Sequence, residues 1–333
     1  MDILFFHRGT SGFIQKDLIL LRQMGSVLAF DAAQMSFRDY LRAFFTARKQ
    51  TSGLLYCWFA GRHALFPALL AKWWRKPFVI VAGGWDVANV PEIHYGLMRP
   101  GWKKQAARWI LRAAHRLLAV SDSNYREILD NTGIPAEKIS VIPHGFEIPS
   151  QKISLDEKDG SILSVGEVTQ SNLKRKGIEV FVRSARFIPE RTFYLAGRVT
   201  QEAREFLKRE APSNLIICDY VGQEELNRLF RKASVYVQVS YHEAFGCAVA
   251  EAMSYGCVPV VTNQYALPEV VGTACGVYVP YGDARKTAEG IRQALQVLPT
   301  LSECAQERVT RLFPLEARRQ ALIKLLQEIV DEY

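Results

Sequence analysis

The chain has 333 residues and a net charge of +8, with 49% hydrophobic and 23% charged residues. This composition is typical of a soluble globular protein that is long enough for two α/β domains. No apolar run reaches the ~20 residues that a membrane-spanning helix needs. The start, MDILFFHRGTSG, lacks a basic leader, so we expect a first strand and a glycine loop rather than a secretory signal.

The net excess of positive charge is confined to the first half of the chain. Residues 1–150 contain 19 lysines and arginines against 11 aspartates and glutamates, whereas residues 151–333 contain 23 of each. A one-sided basic surface indicates a polyanionic partner, which leaves anionic lipid, nucleic acid and an acidic substrate open. No recognisable nucleic-acid module accompanies the charge, so we expect no nucleic-acid partner.

The six cysteines form no C-x-x-C pair, and several fall within apolar patterns. We therefore expect reduced cysteines in a cytoplasmic protein. No Cys/His cluster has metal-ligand spacing, so no metal site is predicted. The cysteines are Cys57, Cys218, Cys247, Cys257, Cys275 and Cys304.

Short apolar runs alternate with helical patterns along the whole chain. This alternation predicts parallel sheets with helices on both faces, in two Rossmann-like domains. A polar stretch with Pro149 and Gly160 is the predicted linker, which gives domains at 1–148 and 149–313 and a terminal amphipathic helix at 314–333. The predicted strands are 3–6, 27–30, 54–58, 78–81, 117–120, 139–142, 162–165, 193–196, 215–218, 235–239, 258–261 and 277–279.

Two segments of the first half combine aromatic and basic residues. Residues 36–49 place Phe37, Tyr40, Leu41, Phe44 and Phe45 on one helical stripe, and residues 98–117 combine two tryptophans with basic residues at four-residue spacing. Such helices bind anionic membrane interfaces, although the same stripes are also typical of helices that pack on a sheet.

Two loops of the first half follow predicted strands. The segment Arg8–Gly12 contains Gly9 and Gly12, which let the backbone approach a ligand closely, but it is not a G-x-G-x-x-G fingerprint. A second loop, Gly83-Gly84-Trp85-Asp86, follows the strand at 78–81.

The segment YHEAFGCAVAEAMSYGCVPVVTNQYAL, residues 241–267, carries the most information. A buried strand precedes it, so the order is strand, short loop and helix N-terminus, the place where open parallel sheets bind ligands. Backbone N–H groups near Gly246 and Cys247 are suited to a phosphate, and Glu243 and Glu251 can accept hydrogen bonds from sugar hydroxyls. Together these groups indicate a nucleotide-sugar site.

This segment resembles the retaining family-4 glycosyltransferases. Their hallmark is two glutamates separated by seven residues, and here it stands as Glu243-Ala244-Phe245-Gly246 followed by Glu251-Ala252-Met253. Residues 117–123 and 137–146 also look like segments of that family. The resemblance implies the GT-B fold. In that fold, an N-terminal acceptor domain and a C-terminal donor domain face each other across a cleft, and the terminal helix crosses back to the first domain.

The resemblance also implies roles for individual residues. Glu243 contacts the donor sugar, Glu251 the ribose and Lys176 the donor diphosphate, while Asp86 faces the acceptor; Glu243, Lys176 and Asp86 are the predicted catalytic residues. The predicted substrate-binding residues are Gly9, Gly12, Gly84, Gly166, Lys174, Arg175, Arg198, Tyr220, Val221, Ala244, Phe245, Gly246, Cys247 and Glu251.

Two positions depart from the family pattern. Glu167 stands where the family has an arginine that binds the diphosphate, and Lys174 or Arg175 is expected to supply the missing charge. Gly83 stands in place of a histidine that touches the donor sugar.

The predicted function is retaining, metal-independent transfer of a sugar to a glycan or lipid-linked acceptor. The donor is expected to be a UDP- or GDP-sugar that serves as a co-substrate, with no cofactor. The predicted location is the cytoplasm, with an anionic membrane as a further partner at its inner face. Alternatives are an epimerase or a phosphorylase on the same fold, although nothing marks a pyridoxal lysine, and a non-catalytic relative that binds sugar nucleotides or docks on membranes.

Overall fold

The computed structural model describes residues 1–49 and 53–332. The chain divides into two compact units, Met1–His144 with Glu316–Tyr333, and Gly145–Leu315. The division lies a few residues before the expected boundary at 148–149. The last residue of the predicted terminal helix, Tyr333, lies outside the described residues.

The first unit contains a six-stranded parallel sheet in the order β2-β1-β3-β4-β5-β6. Every residue of β3 and β4 is buried, as expected for central strands covered by helices on both faces. The strands are β1 Asp2–His7, β2 Ser26–Asp31, β3 Gly53–Trp58, β4 Phe78–Ala82, β5 Arg116–Ala119 and β6 Ile139–Val141, and the helices between them are α1 Gly12–Met24, α2 Phe37–Lys49, α3 Leu65–Trp74, α4 Trp102–Ala113 and α5 Asp122–Thr132.

The second unit contains another six-stranded parallel sheet, in the order β12-β11-β10-β7-β8-β9. Its strands are β7 Ile162–Val165, β8 Phe193–Ala196, β9 Leu215–Cys218, β10 Val235–Gln238, β11 Val258–Thr262 and β12 Val277–Val279. Its helices are α6 Gln170–Arg175, α7 Ile178–Ser184, α8 Gln201–Glu210, α9 Gln223–Lys232, α10 Cys247–Ser254, α11 Leu267–Val271, α12 Ala284–Gln296 and α13 Leu298–Leu312.

In both sheets the strand order reverses once. The chain leaves β1 for β2 on one side and returns to β3 on the other, and it leaves β7 for β8 and β9 before returning to β10. At such a switch point two neighbouring loops diverge at the carboxyl ends of the strands and open a crevice for ligands. Each sheet therefore offers one such crevice, between β1 and β3 and between β7 and β10.

All twelve predicted strands are confirmed, with bounds that agree to within one residue. The aromatic and basic segment at 98–117 is only partly helical: α4 covers Trp102–Ala113, and the buried Leu117 belongs to β5, as the strand predicted at 117–120 requires. Gly101, at a φ of 141°, directly precedes the first residue of this helix. None of the described helices combines the length and hydrophobicity that a bilayer crossing needs.

The expectation that all cysteines are reduced is wrong for two of the six. Cys275 and Cys304 form a disulfide, whereas the other four are free. The two residues are 29 positions apart and belong to no local motif. Only the packing of the segment before β12 near α13 brings them together, so spacing could not have predicted the pair.

The last helix, α14 Leu315–Asp331, is anchored in the first unit by a buried ion pair. The Arg318 guanidinium donates to both carboxylate oxygens of Asp17, at 2.7 and 2.8 Å, and also to the backbone carbonyls of residues 142 and 143. Tyr56 Oη and Trp58 Nε1 donate to the same carboxylate at 2.9 and 3.0 Å. Because both charges are removed from water, loss of either residue would leave the other as an uncompensated buried charge.

We predict that Arg318→Ala destabilises the protein by about 3–5 kcal/mol, because it leaves the Asp17 carboxylate buried without its cation. Chemical denaturation measures this loss. Arg319→Ala is the control: Arg319 pairs with Glu316 on the exposed side of the same helix, and its loss should cost under ~1 kcal/mol. Equal effects of the two substitutions would contradict a specific role for the buried pair.

Candidate functional site

The switch point of the second sheet brings together two predicted catalytic residues. Lys176 follows the short helix α6 after β7, and Glu243 lies in the loop after β10. Lys176 Nζ donates to Glu243 Oε1 at 3.1 Å. Residues 67 positions apart therefore meet because β7 and β10 are neighbours in the sheet.

Three groups surround the Glu243 carboxylate. Besides Lys176, the hydroxyl of Ser240 donates to Oε1 at 3.0 Å, and the Arg175 guanidinium lies 3.7 Å from the same oxygen. Only 11% of the Glu243 side chain is exposed. Burial alone would raise its pKa, but the charges of Lys176 and Arg175 lower it to about 2. At neutral pH Glu243 is therefore an anion that accepts hydrogen bonds.

The structure distinguishes between the two cations that were expected to compensate for Glu167. Asn172 accepts from Arg175 at 2.8 Å and holds its guanidinium near Glu243. Lys174, by contrast, is exposed and forms no ion pair with any described residue. Arg175 therefore supplies the additional charge at the crevice. Glu167 is itself exposed, and no described cation neutralises it.

The helix after Glu243 begins at the crevice. Gly246 precedes α10 in a left-handed conformation, at a φ of 102°, which favours glycine. The first N–H groups of a helix have no partner within it and carry a partial positive charge that attracts anions. The neighbouring Phe245 is buried, with its ring against Phe146 and Phe313, and this contact fixes the loop that positions the helix start.

Two glycines allow the loops after β7 and β8 to pack closely. A Cβ at Gly197 would lie 2.1 Å from the Gly166 carbonyl oxygen, and one at Gly166 would lie 3.3 Å from the Lys176 side chain. Gly166 therefore gives Lys176 room to cross towards Glu243. Arg198, after β8, is exposed at the carboxyl edge of the same sheet.

The remaining predicted residues of this unit lie around the same edge. Tyr220 is 75% exposed and, with Val221, follows the edge strand β9, two strands away from β7. Ala244 is buried beside Glu243, and Cys247 is the first residue of α10. Glu251 lies in the second turn of that helix, partly exposed.

Sequence reasoning missed the polar residues that support this site. Ser240 and Asn172 orient Glu243 and Arg175, and Tyr236 lies buried beneath them. Burial raises the pKa of Tyr236, and the charges of Glu243 and Glu251 raise it further. The signal that could have found Ser240 is the alternation of Gln238 and Ser240 with Val239 at the end of an otherwise apolar buried strand.

In the first unit, Asp86 lies differently from the expectation that it faces an acceptor. It is fully buried, and its carboxylate accepts from the backbone N–H groups of Ala60 at 2.9 Å and Gly84 at 3.1 Å. Burial raises its pKa to about 6, although these hydrogen bonds oppose the shift. Its contacts hold the loops after β3 and β4 together, which does not favour the direct catalytic role predicted for it.

Gly83 has a physical explanation in the same place. A Cβ at this position would lie 1.9 Å from Cε1 of Phe59, whose backbone has a φ of 68°. The Phe59 ring thus occupies the space of any side chain at position 83. The glycine loop after β1 lies nearby in the fold, with Gly9 at a φ of 83° and Gly12 as the first residue of α1.

Two family models match the chain. The model for glycosyltransferase family 4 matches residues 20–148, and the model described as glycosyl transferases group 1 matches residues 159–297. Together they cover both units and well over half of the chain. The chain belongs to the family-4 glycosyltransferases of the GT-B fold.

Curated relatives are similar over part of their length. The chain is 28% identical over 174 residues to the alpha-galactosylglucosyldiacylglycerol synthase of Streptococcus pneumoniae, which covers 46% of this chain and 45% of that protein. It is 27% identical over 201 residues to the serotype-specific mannosyltransferase WbdA of Escherichia coli, 53% of this chain and 24% of that one. The matches thus span less than half of these relatives.

Solved structures show the same fold over nearly the whole chain. Anabaena HepE in complex with UDP and glucose has a TM-score of 0.80 at 17% identity, covering 98% of this chain and all of that one. Sucrose-phosphate synthase from Thermosynechococcus elongatus has a TM-score of 0.81 at 17% identity, covering 100% of both chains.

We predict that ionised Glu243 stabilises the fold. Because its folded pKa of about 2 lies below the ordinary 4.5, this stabilisation is complete above pH 4.5 and is lost as the pH falls towards 2. Wild type should exceed Glu243→Gln in unfolding free energy at pH 7 by on the order of 3 kcal/mol. Denaturation at a series of pH values measures this gap, which should close on acidification. A gap that is constant with pH would contradict the prediction. Glu205→Gln, on the exposed face of α8, is the control and should show no such gap.

Proposed function

We propose that the protein transfers a sugar from a nucleoside-diphosphate sugar to a glycan or lipid-linked acceptor, with retention of anomeric configuration and without a metal. The observation that carries the proposal is the cluster of Glu243, Lys176 and Arg175 beside the start of α10, at the switch point of the second sheet. It combines fixed cations, a helix N-terminus and a hydrogen-bond-accepting anion in one crevice.

Each group has a role in this reaction. When the bond between the anomeric carbon and the diphosphate breaks, negative charge develops on the leaving phosphate. Lys176, Arg175 and the N-terminus of α10 stabilise that charge without a metal ion. Ionised Glu243 accepts hydrogen bonds from the donor sugar hydroxyls, and Glu251 accepts them from the ribose.

In this proposal the anomeric configuration is retained because the acceptor attacks the anomeric carbon from the face that the leaving group occupies. The acceptor oxygen bonds to the anomeric carbon while the acceptor proton passes to the departing phosphate oxygen. Glu243 is poorly suited to be a general acid, because its pKa of about 2 keeps it unprotonated at neutral pH.

The donor is a UDP- or GDP-sugar. Structures of HepE contain UDP, UDP with glucose, or UDP-glucose, which supports a uridine nucleotide. The names of the relatives, a diacylglycerol glycolipid synthase and a mannosyltransferase, support a lipid-linked or glycan acceptor.

One observation favours a second candidate, a non-catalytic relative: the exposed Glu167 carries a charge that opposes diphosphate binding.

We predict that UDP or GDP binds the protein and that Lys176→Met weakens binding at least about tenfold, because a charge-assisted contact to phosphate is lost. Isothermal titration calorimetry measures the affinity, with and without EDTA. Lys174→Met is the matched control: it removes a neighbouring exposed lysine that has no described ion pair and should change the affinity less than about twofold.

A nucleotide that binds without any dependence on Lys176 would contradict this site assignment. Binding without turnover of any sugar nucleotide would favour the non-catalytic candidate. Where turnover occurs, the anomeric configuration of the product, followed by proton NMR, tests retention directly.

We propose in addition that the first unit docks on an anionic membrane at the cytoplasmic face. Only Ala43 and Ala47 of α2 are buried, whereas Phe37 and Phe45 are 76% and 49% exposed. The aromatic stripe thus extends away from the core. It continues onto α3 through Trp73, which is 57% exposed and packs against Phe44. Exposed basic residues accompany it, namely Arg38, Arg42, Arg48, Lys49 and Lys72.

We predict that the protein co-sediments at low salt with vesicles that contain phosphatidylglycerol. Replacing Phe37 and Phe45 together by serine should weaken this binding at least about tenfold, because the buried apolar area is lost. Leu312→Ser, an exposed apolar residue of the second unit, is the control. Failure of the wild type to bind at low salt would remove the membrane proposal.

A further inference from the structure

The switch point of the first sheet contains a cavity of about 480 Å³. Its lining comes from the loops after β1, β3 and β4 and from one side of α4. The volume lies within the ~300–1,000 Å³ of small-molecule sites, and the position is where open parallel sheets bind ligands.

The charged residues around the cavity are all basic. Arg8, Arg62 and Lys103 belong to the lining, and within residues 1–49 and 53–332 none of them forms an ion pair. The lining includes no described aspartate or glutamate. Three cations that form no described ion pair produce a positive potential around this concave surface, which attracts an anion.

The other lining groups are aromatic and apolar. Trp85 and Trp102 are 45% and 67% exposed, and the Arg62 guanidinium lies 5.5 Å from the centroid of the Trp102 ring. Phe59 and Ile110 contribute apolar surface. A ligand for this cavity therefore combines an anionic group with a moiety that packs on indole rings.

A neutral glycan fits this lining less well. Sugar hydroxyls are usually held by carboxylate and amide side chains, because these accept and donate at fixed geometry. The described lining has neither, and His63 already uses Nε2 on the Trp58 carbonyl, at 2.7 Å. The crevice of the second sheet, in contrast, has Glu243 and Glu251.

We propose that this cavity binds a phosphate ester, and that the acceptor of the transfer reaction is a phosphorylated molecule held there by Arg8, Arg62 and Lys103. The inference rests on the proposed transferase function. Two kinds of ligand meet this description, a lipid phosphate and a sugar phosphate. Both combine a phosphate group with an apolar or sugar moiety.

Isothermal titration calorimetry on the full chain tests the proposal. UDP is titrated first, or GDP where UDP does not bind, which tests the transferase donor site and then keeps it occupied. Two matched pairs of probes follow: farnesyl phosphate with farnesol, and glucose 1-phosphate with glucose. We expect at least one phosphate to bind at least about tenfold more tightly than its unphosphorylated partner, because charge-assisted hydrogen bonds are added.

Two variants locate the binding. Arg62→Gln and Lys103→Gln should each reduce the affinity for the phosphate about tenfold, with UDP binding unchanged. Arg112→Gln is the control, since it removes an exposed arginine of the same helix as Lys103 that does not line the cavity. Unchanged UDP binding also shows that each variant is folded.

The outcomes separate the two proposals. UDP binding together with phosphates that bind no better than their partners, or equally well in the variants, overturns the cavity assignment alone. Phosphate binding that depends on Arg62 without any binding of UDP or GDP supports the cavity and overturns the donor site. Preference for farnesyl phosphate or glucose 1-phosphate then identifies the source of the ester.

Discussion

The loops after β7 and β10 in the second unit depend on the neutralisation of one buried carboxylate, that of Glu243. Removing Glu243 from water is costly, and only cations held in good geometry can offset that cost. Lys176 and Arg175 provide them from a loop that follows β7, while Glu243 follows β10. The strand order must therefore make β7 and β10 neighbours before the charges can meet. The interaction that stabilises these loops is thus the same one that leaves an anion and two cations at the crevice.

Much of this arrangement was predictable from the sequence, because the signals are local. Parallel strands covered on both faces need continuous apolar runs, as in β3 and β4, in which every residue is buried. The two glutamates of the motif lie on one short loop and the helix after it, so their order along the chain already placed them at a sheet edge. Lys176 was identified through the family resemblance, which the Lys176-Gly177 pair in the basic loop after β7 carries.

What the sequence did not reveal depends on contacts between distant segments. Asn172 and Ser240 look like ordinary polar residues until the fold places them against Arg175 and Glu243. Cys275 and Cys304 share no motif, and the buried Asp86 carboxylate accepts hydrogen bonds from backbone N–H groups of two separate loops. Such partners are set by packing in three dimensions, which no spacing rule encodes.

The departure at Gly83 and the cavity of the first unit involve the same residue, Phe59. Phe59 adopts a left-handed backbone conformation that turns its ring into the space above Gly83, and the same residue lines the cavity. A histidine at position 83, as the family resemblance leads one to expect, would displace that ring. Asp86 fixes the backbone of Ala60 next to it, so the loop cannot easily adapt. The glycine is therefore matched to a neighbouring aromatic residue, because the Phe59 ring occupies the space that a side chain at position 83 would need.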